Sequence, residues 1–157
     1  MLKLKKMSLE EFSDYMKYAV KSYAVEKQKG EGLDEEDALK VANDSYSRLL
    51  PEGLNTPDNF LFSVVDKSLS QPIGVLWFAK KFNVEKPYAF IYDIEIVSEK
   101  RGRGLGKELL SLAEEEARKL GCTSIGLHVF GHNSTAIALY EKAGFSTTSR
   151  MMKKDFI

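Results

Sequence analysis

The stretch from Ile91 to Leu110, IYDIEIVSEKRGRGLGKELL, passes from a predicted strand to a predicted helix through a turn rich in glycine and arginine. A helix begins with backbone N–H groups that have no intrahelical partner, and its dipole adds partial positive charge there. Glycines in front of such a helix let a ligand approach those amides closely, because no Cβ stands in the way. Arg101, Arg103 and Lys107 add positive charge around the same turn. The turn therefore predicts a site for an anion, best suited to phosphate or pyrophosphate.

Two familiar phosphate-binding motifs do not match this turn. The P-loop pattern GxxxxGK[ST] fails because Gly106-Lys107-Glu108 lacks both the earlier glycine and the hydroxyl residue. The dinucleotide pattern GxGxxG fails because Gly102, Gly104 and Gly106 are spaced GxGxG. On these residues alone two alternatives stay open: an exposed basic turn that only starts a helix and, less favoured, a contact for nucleic acid.

The chain of 157 residues reads as one domain without a dividing linker. Ser8 and Glu11 have the spacing of a helix capping box. The hydrophobic periodicity predicts strands at 2–6, 60–66, 72–82, 88–97 and 124–130, one or two more after residue 145, and helices at 8–28, 35–50, 105–120 and 133–143. Short links predict an antiparallel meander for the second to fourth strands, and the strand–helix–strand unit that follows predicts a parallel pair. The fold class is therefore α/β (α+β), with a mixed, mostly antiparallel central sheet flanked by helices.

The composition narrows the possible partners and location. Lys and Arg total 23, as do Asp and Glu, so no global field draws the chain to nucleic acid or to an anionic membrane. No apolar run approaches the length of a membrane span, and the basic start MLKLKK lacks the apolar segment that a signal peptide needs. The single cysteine, Cys122, fits a reducing compartment, so we expect a cytoplasmic protein. We expect no metal centre, because His128 and His132 share only an even spacing and no cysteine or carboxylate completes a ligand set.

Two motifs together resemble one enzyme family. The pattern R/Q-x-x-G-x-G/A, here Arg101-x-x-Gly104-x-Gly106, follows a strand and precedes an amphipathic helix. Further along, HNSTAIALYEKAGF at His132–Phe145 matches N-x-x-A-x-x-L-Y-E-K-x-G-F. Both patterns, in this order, resemble those of the GNAT family of N-acetyltransferases. The resemblance is good from about Phe60 onward and weak over the two N-terminal helices.

The resemblance implies a GNAT-like acyl-CoA transferase fold in a single N-acetyltransferase domain spanning 1–157. In it, 1–57 would supply helices on the acceptor side and 58–157 the acetyl-CoA-binding core. The pyrophosphate of acetyl-CoA would lie on the glycine loop, and the pantetheine arm would pair with the preceding strand. The residues implied for acetyl-CoA binding are Ile94, Glu95, Ile96, Arg101, Gly102, Arg103, Gly104, Leu105, Gly106, Lys107, Asn133 and Tyr140.

The resemblance also implies catalytic roles. Tyr140 matches the tyrosine that protonates the departing coenzyme A thiolate in many members, although a tyrosine of the core is the alternative. For the general base we rank Glu95 first, with Asp93 and His128 behind it; without a bulge, Asp93 and Glu95 share one face of a strand. Asn133 would contact the pantetheine or, equally, cap the helix that follows it.

The sequence therefore predicts an acetyl-CoA-dependent N-acyltransferase. The acetyl group would pass directly from acetyl-CoA to a primary amine of a small molecule, peptide or protein in a ternary complex, with no metal. A non-catalytic acyl-CoA-binding sensor module is the alternative function. The identity of the amine, the use of longer acyl-CoAs and a possible homodimer stay open at this point.

Overall fold

Five strands form one sheet in the order β1-β2-β3-β4-β5. The computed structural model describes residues 1–84 and 86–157. The strands are β1 (Leu2–Lys6), β2 (Asn59–Asp66), β3 (Pro72–Asn83), β4 (Lys86–Ile96) and β5 (Ile125–Leu127). The helices are α1 (Leu9–Glu31), α2 (Glu35–Leu49), α3 (Leu105–Lys119) and α4 (Ser134–Lys142), with short 3-10 turns at Gly53–Asn55 and Ser98–Lys100. The first four strands pair antiparallel and β4 pairs parallel with β5, which confirms the predicted mixed sheet.

Local sequence signals fix the ends of the N-terminal helices. The Ser8 side chain accepts a hydrogen bond from the Glu11 N–H, and the Glu11 side chain accepts one from the Ser8 N–H, so the predicted capping box is present. Gly32 ends α1 in the left-handed conformation, with φ of 68°. Asp34 caps α2 by accepting from the Asp37 N–H. These two helices are therefore defined by residues within their own segments.

The sheet is covered on both faces. One face packs against α3 and α4, in a core that includes Val64, Leu76, Phe78, Leu109 and Ala113. The opposite face packs against α1 and α2, in a second core that includes Tyr15, Ala19, Leu61 and Trp77. Because β1 pairs with β2, the segment 1–57 contributes an edge strand as well as helices.

Two predicted elements differ from the structure. The strand predicted at 124–130 is limited to β5, because β5 diverges from β4 after Leu127 and loses its hydrogen-bonding partner. The one or two strands predicted after residue 145 are absent, because every residue from 146 to 157 is exposed and without secondary structure. A strand needs a paired neighbour, and this segment has none in the chain as described.

Candidate active site

A β-bulge in β4 turns two carboxylates toward α1 and α2. The register pairs Trp77 with Asp93 and Phe78 with Ile91, so Tyr92 is an extra residue on β4. Ile91 packs into the core beneath α3, whereas Tyr92 packs with Trp77 on the opposite face. Because the bulge inserts one residue, the alternation of side chains between the two faces of the sheet is shifted by one position after it. Asp93 therefore contacts α1, whereas Ile91, two residues earlier, packs beneath α3. Asp93 and Glu95 share a face, as the sequence predicted.

The same part of β4 borders a cleft, because β4 and β5 separate. The two strands pair only from Ala89–Ile91 to Ile125–Leu127. Beyond that point, 92–96 have no strand partner on the β5 side within the described chain. The gap is a cleft of about 160 Å³, lined by Ile91, Tyr92, Asp93, Ile94, Glu95, Leu127, His128 and Tyr140. The four predicted catalytic residues, which come from three separate segments, therefore meet around one cavity.

The Asp93 carboxyl group is the most perturbed acid of the cleft. Burial and then the charge of Glu95 raise the pKa of Asp93 from 3.8 to about 7. Two hydrogen bonds oppose this rise, one from the Tyr15 hydroxyl and one from the Ile94 N–H. The Tyr15 hydroxyl donates to Asp93 Oδ2 over 2.6 Å. Asp93 therefore exchanges its proton near neutral pH, where a general base is most useful.

Tyr15 is a site residue that sequence reasoning missed. It lies on α1 and is only 6% exposed. Burial, followed by the charge of Asp93, raises the pKa of the Tyr15 hydroxyl, which keeps it a hydrogen-bond donor. Helical spacing identifies Tyr15 as an inward-facing residue, but its partner is 78 residues away in sequence. No pattern in the local sequence links Tyr15 to Asp93.

Aromatic rings surround this carboxylate on the α1–α2 side. Tyr92 stacks on Trp77 with ring centroids 4.6 Å apart, and Trp77 is in turn 5.8 Å from Tyr46 of α2. Burial, together with the charges of Asp93 and Glu95, raises the pKa of Tyr46 well above its usual value. These rings therefore form a packed cluster around the buried Trp77, in a region of negative potential.

Tyr140 faces the cleft from α4. Burial and then the charge of Asp93 raise the pKa of its hydroxyl, so Tyr140 is protonated throughout the neutral range. Its ring packs 5.8 Å from that of Phe145 at the end of the helix. Tyr140 thus packs against the core and also lines the cleft, and its catalytic role stays a prediction.

His128 lies just beyond β5 rather than within a strand. It lines the cleft, and its ring meets Phe130 edge to face at 5.1 Å. His132 stacks on the other side of Phe130, and its Nε2 is 4.0 Å from Glu26 Oε2 of α1. In the described chain no three potential ligand residues gather to hold a metal ion.

The glycine turn leaves the start of α3 open. Gly104 occupies the N-cap position with φ of 77°, and no side chain caps the helix. The first N–H groups of α3 are therefore available to a ligand. Gly102 also has φ of 77°, and neither glycine has an atom within 4 Å of where a Cβ would stand. The positive φ therefore favours glycine at both positions, and the open space leaves room for a ligand to approach the backbone.

Other residues of the loop have structural contacts. Arg101 Nε donates to the Ile96 carbonyl over 2.7 Å, which ties the loop to the end of β4. A Cβ at Gly106 would lie 3.0 Å from a terminal methyl of Leu139 of α4, so a larger residue here would need the Leu139 side chain to shift. Lys107 borders a different groove, between α3 and α4. Its predicted contact with acetyl-CoA stays a prediction.

Asn133 caps α4. Its side-chain oxygen accepts from the Ala136 N–H over 3.2 Å. This is one of the two roles that the sequence left open for Asn133. A contact between this side chain and pantetheine stays a prediction.

No helix in the part of the chain that the structure describes is both long and apolar enough to cross a membrane.

Comparison with known proteins identifies the family. The acetyltransferase (GNAT) family profile matches residues 18–145. The uncharacterized N-acetyltransferase YycN of Bacillus subtilis is 38% identical over 150 residues, covering 94% of each chain. The uncharacterized N-acetyltransferase YdgE of the same organism is 30% identical, with 96% of each chain covered.

Solved structures agree with this match. The crystal structure of YycN from Bacillus subtilis superposes with a TM-score of 0.93 at 36% identity, covering 100% of this chain and 99% of the other. The fold is shared with AAC(6')-Iy in complex with the bisubstrate analog CoA-S-monomethyl-acetylneamine, at a TM-score of 0.62 and 15% identity over 100% and 99% of the two chains. The chain belongs to the GNAT family of acetyltransferases. It is an acetyl-CoA-dependent acyltransferase.

Proposed function

We propose that the chain transfers the acetyl group of acetyl-CoA directly to a primary amine of a small molecule, peptide or protein. The carrying observation is the cleft that both Asp93 and Tyr140 line. This cleft lies between β4 and the end of β5, and the uncapped start of α3 follows β4 along the chain. Acetyl-CoA supplies the activated acyl group.

The chain's backbone fits acetyl-CoA at two places. The free amides that follow Gly104 suit the pyrophosphate, and Arg103 adds positive charge beside them. The edge of β4 at Ile94–Ile96 has no strand partner on the β5 side and offers an amide-rich arm the position of an added strand. The arm would compete there with the bond from Arg101 to the Ile96 carbonyl. Backbone groups make both contacts, so binding depends on the conformation of the loop more than on particular side chains.

We assign the general base to Asp93 in preference to Glu95, which we ranked first from the sequence. A protonated amine must lose a proton before it can attack a thioester. Asp93 is the carboxylate whose pKa lies near 7, so it is partly ionised at neutral pH and still basic enough to accept that proton. Glu95 lies on the same face and adds negative charge. We assign Glu95 to attracting the ammonium form of the acceptor.

Tyr140 would act on the other side of the reaction. Its raised pKa keeps the hydroxyl protonated, so it can donate a proton to the departing sulfur. The proton that Asp93 takes from the amine and the proton that Tyr140 gives to the thiolate balance over one turnover. His128 lines the same cleft, so it stays a candidate for contact with the reactants.

The acceptor would approach from the α1–α2 side, so that 1–57 forms the acceptor half and 58–157 the acetyl-CoA-binding core. The charges of Asp93 and Glu95 make the potential on this side negative, which favours an ammonium group. The rings of Trp77 and Tyr92 act as packing support, because Trp77 is only 1% exposed and Lys81 Nζ already lies 5.0 Å from the Tyr92 ring centroid. A free cysteine, Cys122, supports a cytoplasmic setting for the reaction.

The test is release of free thiol from acetyl-CoA in the presence of a panel of amines. The panel contains peptides with free N-termini, lysine peptides, polyamines and small primary amines, and reactions without amine provide the background. Thiol release above background, with an acetylated amine detected by mass spectrometry, supports the proposal. Tight binding of acetyl-CoA without release from any amine would favour the sensor module instead.

A further inference from the structure

Arg101 covers a backbone carbonyl on the open edge of β4. The Val97 N–H donates to the Ile73 carbonyl over 2.8 Å, so the backbone groups of Val97 point toward β3. Because the backbone groups of successive strand residues point to opposite sides, the Ile96 carbonyl points away from β3, toward the side that has no strand partner among the described residues. Arg101 Nε donates to this carbonyl over 2.7 Å. The side chain therefore takes one of the hydrogen-bonding positions of the open edge.

The backbone of the turn does not depend on this side chain. The Lys100 N–H donates to the Val97 carbonyl over 2.9 Å, and the Arg101 N–H donates to the Ser98 carbonyl over 3.2 Å. Arg101 is exposed, and its two Nη groups make no hydrogen bond or ion pair with the residues that the structure describes. The bond between Nε and the Ile96 carbonyl can therefore break while the turn keeps its conformation.

A bound acetyl-CoA would meet this side chain midway along its length. In the placement proposed above, the arm runs along Ile94–Ile96 and the pyrophosphate lies at the amides after Gly104. An amide N–H of the arm that donates to the Ile96 carbonyl takes the position of Arg101 Nε. The released guanidinium, with its five N–H donors, is suited to pair with the oxygens of a phosphate. A ligand with both groups therefore replaces the bond that it breaks, whereas a ligand with the arm alone does not.

We propose that Arg101 is a positioning residue that couples the two contacts of acetyl-CoA. It covers the Ile96 carbonyl before the ligand binds, yields this carbonyl to the pantetheine arm, and then pairs with the pyrophosphate. This coupling rests on the proposed placement of acetyl-CoA and adds a basis for selectivity. The site favours coenzyme A thioesters over thioesters of pantetheine alone by more than the pyrophosphate contact itself provides.

The test compares acetyl-CoA with acetyl-pantetheine, which has the same arm and thioester but no pyrophosphate. Binding of each to the labelled full chain is followed through amide chemical shifts at 92–96, so that no acceptor amine is needed. In Arg101→Met the affinity for acetyl-pantetheine should rise by about three- to tenfold, because the Ile96 carbonyl is uncovered, whereas the affinity for acetyl-CoA should fall by about tenfold. In the wild type, the Nε–H signal of Arg101 should shift on saturation with acetyl-pantetheine.

Arg103→Met is the matched control. It removes a cation from the same turn and leaves the bond between Arg101 and Ile96 in place. It should weaken the binding of acetyl-CoA and leave the affinity for acetyl-pantetheine unchanged.

Two results would overturn the coupling alone. One is acetyl-pantetheine that binds Arg101→Met no more tightly than the wild type, with shifts still centred at 92–96; a fall in affinity for both ligands would indicate that Arg101 only holds the turn in shape. The other is an Arg101 Nε–H signal that stays unchanged on saturation. If acetyl-CoA shifts no amide at 92–96 of the wild type, the placement of acetyl-CoA itself is wrong, and the coupling is wrong with it.

Discussion

Replacing Tyr15 with Phe tests how the fold tunes the carboxylate of Asp93. The substitution keeps the ring in the core of α1 and removes only the hydroxyl that donates to Asp93 over 2.6 Å. That donor stabilises the ionised carboxylate more than the protonated form. Its loss therefore raises the pKa of Asp93.

The size of the change follows from the strength of the bond. A hydrogen bond to a charged group contributes about 1.5–3 kcal/mol in a protein. One pKa unit corresponds to about 1.4 kcal/mol, and water in the cleft partly replaces the lost donor. We therefore expect the pKa of Asp93, about 7 in the wild type, to rise by about one unit.

The assay is a titration of the aspartate carboxyl carbons by NMR, which needs neither acetyl-CoA nor an amine. The matched control is Tyr18→Phe, on the same helix but 55% exposed; it should leave the titration of Asp93 unchanged. Once an acceptor is known, the acid limb of kcat/KM should move upward by the same amount in Tyr15→Phe. An unchanged Asp93 titration would refute the coupling, and an NMR shift without a kinetic shift would refute the role of Asp93 as base.

Three further predictions concern other parts of the site. Gly104→Ala should weaken acetyl-CoA binding by roughly tenfold or more, since a non-glycine residue at φ of 77° is strained. The control is Gly121→Ala, at φ of 81° beyond the far end of α3. It should lower the stability of the fold by a similar amount without weakening acetyl-CoA binding. Tyr140→Phe should lower kcat by about a hundredfold while the Kd for acetyl-CoA changes little. Equal losses of turnover and of acetyl-CoA affinity would indicate that the Tyr140 hydroxyl serves only packing. Asp93→Asn should stabilise the fold more at pH 8 than at pH 5 in denaturant unfolding. Because folding raises the pKa of Asp93 from 3.8 to about 7, the unfolded chain loses this proton first, so the cost to stability grows as pH rises from about 4 to about 7 and is constant above that; it totals at most about 4 kcal/mol, of which about 3 kcal/mol is added above pH 5. A pH-independent effect of Asp93→Asn would contradict this sign.

Much of the fold follows from local sequence signals. The capping box at Ser8 and Glu11 sets the start of α1, and the glycine turn sets the start of α3. The parallel pairing of β4 with β5 follows from the helix between them. Each of these features depends on residues that are close in sequence, so pattern and spacing suffice to predict it.

The features whose exact position could not be predicted, or that were missed, depend on contacts between distant segments. The position of the bulge at Tyr92 depends on the register of β4 against β3, and strand propensity does not predict register. The hydrogen bond from Tyr15 to Asp93 forms only when α1 packs across β4. The predicted C-terminal strands are absent because strand formation needs a neighbour as well as a suitable sequence.

The candidate site also has features that the local sequence predicts and features that depend on distant contacts. The sequence brought Tyr140, Asp93, Glu95 and His128 into consideration through motif and strand position, and all four line one cleft. The sequence ranked Glu95 above Asp93, and we reverse that order because the pKa of Asp93 depends on its burial and on the charge of Glu95, which only the fold determines.

The most direct test of the account is a map of amide chemical-shift changes when acetyl-CoA is added to the labelled chain. We predict that the largest changes fall on the unpaired edge of β4 at 92–96 and on the turn and first residues of α3 at 102–107. Changes centred on the groove between α3 and α4, or no saturable change at either place, would contradict the placement of acetyl-CoA in the cleft between β4 and β5.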